Sequence, residues 1–221
     1  MIKLVIFDLD GTLADTILDL SGSVEVSLRK RGLPSHGLPE YKLMVGNGFS
    51  TLVERAIPAG LRGTPLQEEI RAEAAAYYAA HPLDSTAPYP GIDALLDGLA
   101  SRGMGRAVVS NKPHELAIAV VEGLFPDAGF LEIRGEKPGF PRKPDPRGVL
   151  DLAARARVEP GEALYVGDSN VDVATAHNAG MRVVGAAWGF RGEAELRAAG
   201  ADYIAQKPEE VLAILDGLKV E

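Results

Sequence analysis

The chain has no cysteine, which excludes disulfides, thiolate metal ligands and a cysteine nucleophile, and suits a reducing compartment. It has only four histidines, His36, His81, His114 and His177, and they show no metal-ligand spacing. Basic charge is also short: 23 Lys and Arg against 31 Asp and Glu leave a formal charge of −8. Nonspecific grip on nucleic acid or on an anionic membrane needs basic surface, so neither is expected as a partner. Long apolar runs are missing as well. Leu4 to Phe7 is interrupted by Asp8, too short for the apolar region of a signal peptide. No stretch approaches the roughly 20 residues that span a bilayer. The expectation is a cytoplasmic protein, a monomer or small homo-oligomer.

What is present is ordinary for a folded soluble chain: 221 residues, 46% hydrophobic and 24% charged. From residue 92 onward, short β-rich runs alternate with amphipathic helical stretches. The predicted strands are 2–7, 105–109, 129–133, 163–166, 183–187 and 203–204. The predicted helices between them cover 91–101, 114–124, 146–156, 171–179 and 208–218. Gly103 and Gly180 suit helix C-termini, and Asp145 before Pro146 suits an N-cap followed by the first helical residue. Such alternation predicts an α/β fold, a doubly wound Rossmann-like parallel sheet with helices on both faces.

The interval 16–86 reads differently, with helical spacing and no clear strand. Ile17, Leu20, Val24 and Leu28 share one helical face, as do Phe49, Leu52, Val53 and Ala56. Thr64, Pro65 and Gln67 form a candidate capping box for a helix that stops before Pro82. The expected organisation is a core domain of residues 1–15 and 87–221 with an all-helical cap domain, 16–86, inserted after the first strand. Hinges are expected near Asp15–Thr16 and 87–90.

Ligands of open parallel sheets bind beyond the carboxyl ends of the strands. Those ends here carry Asp8-Leu9-Asp10-Gly11-Thr12, Ser110-Asn111-Lys112 and Gly167-Asp168-Ser169, with Asp172 close behind and Lys143 before the 146–156 helix. If the loops meet, several carboxylates crowd one small volume beside a lysine. Burying them together is costly unless one is protonated or a cation intervenes. An all-oxygen donor set suits a hard ion, magnesium above all, completed by waters and a substrate phosphate. The lysine and the loop amides supply positive charge for the remaining phosphate oxygens.

The segments DLDGTLADT, VVSNK, Lys143-Pro144 and VGDSNVD, in that order, resemble the four motifs of the haloacid dehalogenase superfamily. The resemblance spans nearly the whole chain. It implies a phosphatase whose nucleophile is Asp8 and whose general acid and base is Asp10. It further implies that Thr12 orders the catalytic loop and joins Ser110, Asn111 and Lys143 in binding the substrate phosphate. Asp8, the Asp10 carbonyl and Asp168 would bind Mg2+, with Asp15 and Asp172 supporting from behind. Dehalogenases of the superfamily lack the second aspartate, so Asp10 favours phosphate-ester chemistry. Within the phosphatases, VGNGFSTLVERA, YPGIDALLDGL and SNKPHELA resemble the phosphoglycolate phosphatases, which implies a small phosphorylated metabolite such as 2-phosphoglycolate as substrate. Alternatives on the same fold are a pyrophosphatase or nucleotidase, a phosphosugar mutase, or a catalytically silent binding protein.

Some residues admit plainer readings. Asp15 could cap the first cap helix. Asn47 lies in a Gly-Asn-Gly turn that could cover the substrate or be a turn only. Lys112 could add to the positive field of the pocket, although Pro113 marks an ordinary helix start. Trp188 to Arg191 could line the rim or pack on the core edge.

Overall fold

In the computed structural model, residues 1–218 are described; positions 219–221 of the expected core segment lie outside them. The chain begins with strand β1 (Leu4–Phe7) and a two-residue strand β2 (Ala14–Asp15). Four helices follow: α1 (Ile17–Lys30), α2 (Leu38–Met44), α3 (Phe49–Ala56) and α4 (Pro65–Ala80). A second two-residue strand, β3 (Ala87–Pro88), leads to α5 (Ile92–Ser101), β4 (Gly105–Pro113), α6 (His114–Leu124) and β5 (Glu132–Glu136). The remainder is α7 (Arg147–Arg155), β6 (Ala163–Gly167), α8 (Asn170–Asn178), β7 (Arg182–Ala186), α9 (Gly192–Ala199), β8 (Tyr203–Ala205) and α10 (Glu209–Gly217).

Six strands form one sheet in the order β5-β4-β1-β6-β7-β8, every pairing parallel. Period-two alternation shows on β1. Val5 and Phe7 join one apolar cluster with Leu95 and Leu99 of α5, Val120 of α6 and Val211 of α10. Leu4 and Ile6 join the opposite cluster with Val149 and Leu152 of α7, Val173 of α8 and Leu196 of α9. All four β1 side chains are fully buried, as a central strand covered on both faces requires. The chain runs outward from β1 to β5, then returns to β6 on the other side of β1, so the switch point falls beside β1. Among the described residues no helix is long and apolar enough to cross a membrane.

Residues 17–78 supply most of a third apolar cluster, including Leu20, Val24, Phe49, Leu52, Ile70 and Tyr78, which Phe190 joins from beyond β7. The two chain crossings between this helical segment and the sheet are paired: β2 and β3 are antiparallel, with Asp15 opposite Ala87 and Ala14 opposite Pro88. The expected hinge positions are therefore hydrogen-bonded to each other.

Several local expectations need correction. The strand expected at 129–133 is β5, three residues later, because its polar sequence is buried through ion pairs. Arg134, 3% exposed, meets Glu132 at 2.5 Å and Asp151 at 2.8 Å. The capping box does not form: the Thr64 hydroxyl donates to the Leu61 carbonyl, while Gln67 accepts the Gly63 N–H at 2.8 Å. Pro146, rather than Asp145, is the N-cap of α7, and the Asp145 carboxylate accepts the Arg147 N–H at 2.9 Å. The two glycine C-termini hold. Gly103 and Gly180 have φ of 66° and 69°, and the N–H of the residue after each returns to the preceding turn.

Candidate active site

Strand register assembles the site. Phe7 is level with Val108 on β4 and with Val166 on β6, so Asp8, Ser110 and Asp168 emerge together from three adjacent strand ends. The ladder between β4 and β5 breaks between Val109 and Pro113, which frees Ser110, Asn111 and Lys112 from regular pairing. After Asp8 the chain turns sharply: the Leu9 carbonyl accepts the N–H groups of Thr12, Leu13 and Ala14 at 3.0–3.2 Å. A Cβ at Gly11 or at Gly189 would come within 2.3 Å of Asp168 atoms, so both glycines are needed for the loops to close around that carboxylate.

Asp8, Asp168 and Asp172 each bring an oxygen within 4.8 Å of the others, and all three are buried. Lys143 is the ammonium among them, 2.9 Å from Asp8 Oδ1 and 2.7 Å from Asp172 Oδ1. Its third partner is the Tyr165 hydroxyl at 3.1 Å. Asp172 is saturated, because its second oxygen accepts the Ser169 N–H at 3.1 Å and the Ser169 hydroxyl at 2.6 Å. Asp168 accepts the Phe190 N–H at 2.7 Å. Asp8 Oδ1 makes no hydrogen bond of good geometry despite its burial.

These three carboxylates and one lysine sum to two negative charges in a buried volume. Burial pushes Asp8 up to about 6 against the pull of Lys143, with the charge of Asp172 adding to the rise. Burial, then the charges of Asp172 and Asp8, push Asp168 well above the usual carboxylate range. An all-oxygen donor set and negative charge in excess of the single lysine fit a hard divalent cation. The cluster can hold a metal.

Asp10 leaves the cluster and lines a neighbouring pocket of about 420 Å³, measured to its open mouth. Lys112 Nζ lies 2.8 Å from Asp10 Oδ1 and also hydrogen-bonds the Tyr78 hydroxyl. Burial disfavours the Lys112 charge, yet Asp10 and Tyr78 hold its ammonium above the ordinary lysine value. Asp8 and Ser110 floor the pocket; Leu20, Phe49 and Leu52 of the helical segment cover it.

Of the expected site residues, Asp8, Asp10, Ser110 and Asn111 line this pocket, and Lys143, Asp168 and Asp172 meet behind Asp8. The Asn111 carboxamide is committed: it accepts the Lys143 N–H at 2.8 Å and donates to the Lys143 carbonyl at 3.2 Å and to Gly46 O at 3.0 Å. Thr12 is fully buried under the loop, its hydroxyl without a partner among the described residues. Asp15 accepts the Ile17 N–H at 3.2 Å from one position before Thr16, which is the N-cap of α1 in its place. Gly46 and Gly48 line the pocket, while the Asn47 side chain turns to Arg55 at 2.9 Å. The 188–191 segment does more than pack. Trp188 donates to the Thr12 carbonyl at 2.9 Å, and Arg191 to Val45 O at 2.8 Å.

Sequence reasoning missed Tyr78 and Tyr165, whose helix and strand positions read as core, and it gave Lys112 too little weight. Lys112 immediately follows Ser110-Asn111 at a strand end, and that adjacency was the available signal.

Residues 5–186 match the haloacid dehalogenase-like hydrolase family. The phosphoglycolate phosphatase of Rhodospirillum rubrum is 39% identical over 199 residues, 87% of this chain and 83% of the relative. That of Aquifex aeolicus is 31% identical over 219 residues, 99% of each. The crystal structure of a predicted phosphoglycolate phosphatase from Haemophilus somnus superposes with a TM-score of 0.90 at 28% identity, covering 97% of this chain and 98% of that one. With its family match running from β1 to the end of β7, the chain belongs to the haloacid dehalogenase-like hydrolases.

Proposed function

We propose that this chain is a metal-dependent phosphatase that hydrolyses 2-phosphoglycolate through a phosphoryl group carried on Asp8. The observation that carries the reading is the division of labour between two carboxylates two residues apart: Asp8 in the charged cluster and Asp10 in the pocket. An Asp8 oxygen attacks phosphorus, and the ester bond breaks as Asp10 protonates the departing glycolate oxygen. Asp10 then takes a proton from water, which displaces inorganic phosphate from Asp8 and restores the carboxylate.

Lys143, Ser110, Asn111 and Thr12 are assigned to the phosphoryl oxygens and to the order of the loops around them. Asp172 is assigned to orienting Lys143, since its oxygens are already taken. Magnesium, held by Asp8, Asp168 and the Asp10 carbonyl, supplies charge neutralisation and polarises the phosphoryl group when bound. In this reading residues 16–86 are a cap that opens and closes over the core of 1–15 and 87–221 at the β2–β3 ribbon, excluding water from the first step. The partner is a small phosphorylated metabolite, and the cytoplasm suits a chain without cysteine.

The test is phosphate release with magnesium from 2-phosphoglycolate, pyrophosphate, glucose 1-phosphate and nucleoside monophosphates. Turnover with 2-phosphoglycolate should dominate, stop with chelator, and fall at least about 10⁴-fold in Asp8→Asn. A different preferred ester would keep the mechanism and reject the substrate. No turnover dependent on Asp8 would leave the mutase or silent-protein alternatives.

A further inference from the structure

Lys112 is 3% exposed and Tyr78 is fully buried, yet both line the pocket beside Asp10. A lysine ammonium carries three N–H donors. Asp10 Oδ1 and the Tyr78 oxygen take two of them, and none of the described residues takes the third. The Tyr78 hydroxyl accepts from Lys112, and its own proton has no acceptor among the described residues. Two uncommitted donors thus stand side by side in a pocket otherwise roofed by Leu20, Phe49 and Leu52, where Lys112 is the only cation among the described residues that line it. Buried donors of this kind are costly to leave without an acceptor.

We propose that Lys112 and Tyr78 form a two-donor clamp for a carboxylate on the leaving group, and that the clamp sets substrate preference. The inference rests on the phosphatase reading, because it places the leaving oxygen at Asp10. Lys112 Nζ is 2.8 Å from the Asp10 carboxylate, so the clamp sits immediately beside the group that protonates that oxygen. A 2-phosphoglycolate molecule has one methylene between its ester oxygen and its carboxylate. Asp10 and the clamp therefore address the two functional groups of one small substrate. Lys112 comes from β4 of the sheet and Tyr78 from α4 of the helical segment. The clamp is complete only with the two parts together, which ties recognition of the carboxylate to closure.

The experiment compares kcat/KM for 2-phosphoglycolate and 2-hydroxyethyl phosphate, which replaces the carboxylate by a neutral alcohol. The wild-type protein should prefer the carboxylate by about 100-fold or more. Lys112→Met should reduce that ratio by at least about 30-fold, and Tyr78→Phe by about 3- to 10-fold. Lys112 also positions Asp10, so both substrates lose rate in Lys112→Met; the ratio isolates the clamp. Should Lys112→Met fail to fold, Tyr78→Phe decides alone, because it keeps the ring stacked on Phe49. A ratio unchanged in the variants, or a wild type that treats both esters alike, overturns the clamp and leaves the phosphatase standing. Absence of Asp8-dependent release from either ester overturns the phosphatase reading and the clamp with it.

Discussion

Two buried lysines face the reaction site, and their surroundings differ in one respect that separates permanent from conditional structure. Lys143 meets Asp8 at 2.9 Å, Asp172 at 2.7 Å and Tyr165 at 3.1 Å, so each of its donors has a partner. Those partners follow or belong to β1, α8 and β6, all parts of the sheet layer. Lys112 meets Asp10 and Tyr78, keeps one donor without a partner among the described residues, and reaches across to a helix from the inserted segment. Both lysines combine a carboxylate with a phenol. The first ammonium is saturated by neighbours within the sheet layer; the second is completed by a neighbour on the other side of the paired β2–β3 crossings.

The largest expected effect tests the saturated side. Lys143→Met should lower kcat by about 10³-fold or more with every ester alike, because it removes charge at the phosphoryl group and leaves Asp8 and Asp172 unpaired. The ratio between 2-phosphoglycolate and 2-hydroxyethyl phosphate should stay within about threefold of wild type. The contrast with Lys112→Met is then one of kind: one variant loses rate, the other loses discrimination as well. A changed ratio in Lys143→Met would break the comparison.

The next prediction concerns charge balance. Around Lys143 stand three carboxylates, whereas Lys112 faces one. Asp8 is met by Lys143, Asp172, Asp168, Asp10 and Tyr165, and burial raises it from 3.8 to about 6. An acid raised in the folded state contributes stability at low pH that is lost as pH rises through its folded value. The metal-free protein should therefore lose stability between about pH 4 and pH 6, on the order of 1–3 kcal/mol by urea unfolding. Magnesium should stabilise more at pH 7 than at pH 5, since it replaces protons in the same cluster. A magnesium effect independent of pH would remove the cluster from the metal's binding site.

The saturated side was legible in the sequence and the conditional side was not, for a physical reason. Apolar runs such as Leu4–Phe7 and Leu164–Val166 mark buried parallel strands, and the first polar residue beyond each must sit at a strand end. The sequence alone therefore predicts that Asp8, Ser110 and Asp168 share one end of the sheet. Tyr78 carries no such mark, because its position on α4 follows the same helical spacing as the core residues Ile70 and Ala74. Which way a helix face looks depends on how the segment lies on the sheet, and periodicity is silent on that. The same limit explains β5. Its burial depends on Arg134 finding Asp151, a partner 17 residues away. The strands β2 and β3 and the seven-residue α2 are too short for any periodicity to show.

The smallest expected effect lies at the crossings that bring Tyr78 to Lys112. Asp19 of α1 is buried and accepts the Thr86 N–H at 2.8 Å, the Thr86 hydroxyl at 2.7 Å and the Ser85 N–H at 3.0 Å. One carboxylate thereby ties the returning chain to the first helix of the inserted segment, just before β3. Asp19→Ala would strand two backbone N–H groups and should cost about 1–3 kcal/mol in denaturant unfolding. It touches neither lysine. If Tyr78 is delivered by the position of the helical segment, a looser crossing should lower kcat/KM for 2-phosphoglycolate a few-fold while 2-hydroxyethyl phosphate changes less than about twofold. Lys143 and its partners lie wholly on the sheet side, so the chemistry common to both esters has no dependence on Asp19. Equal losses on both esters would mean that the crossing positions Asp10 rather than Tyr78, and the division between a permanent and a conditional lysine would have to be drawn at the catalytic loop instead.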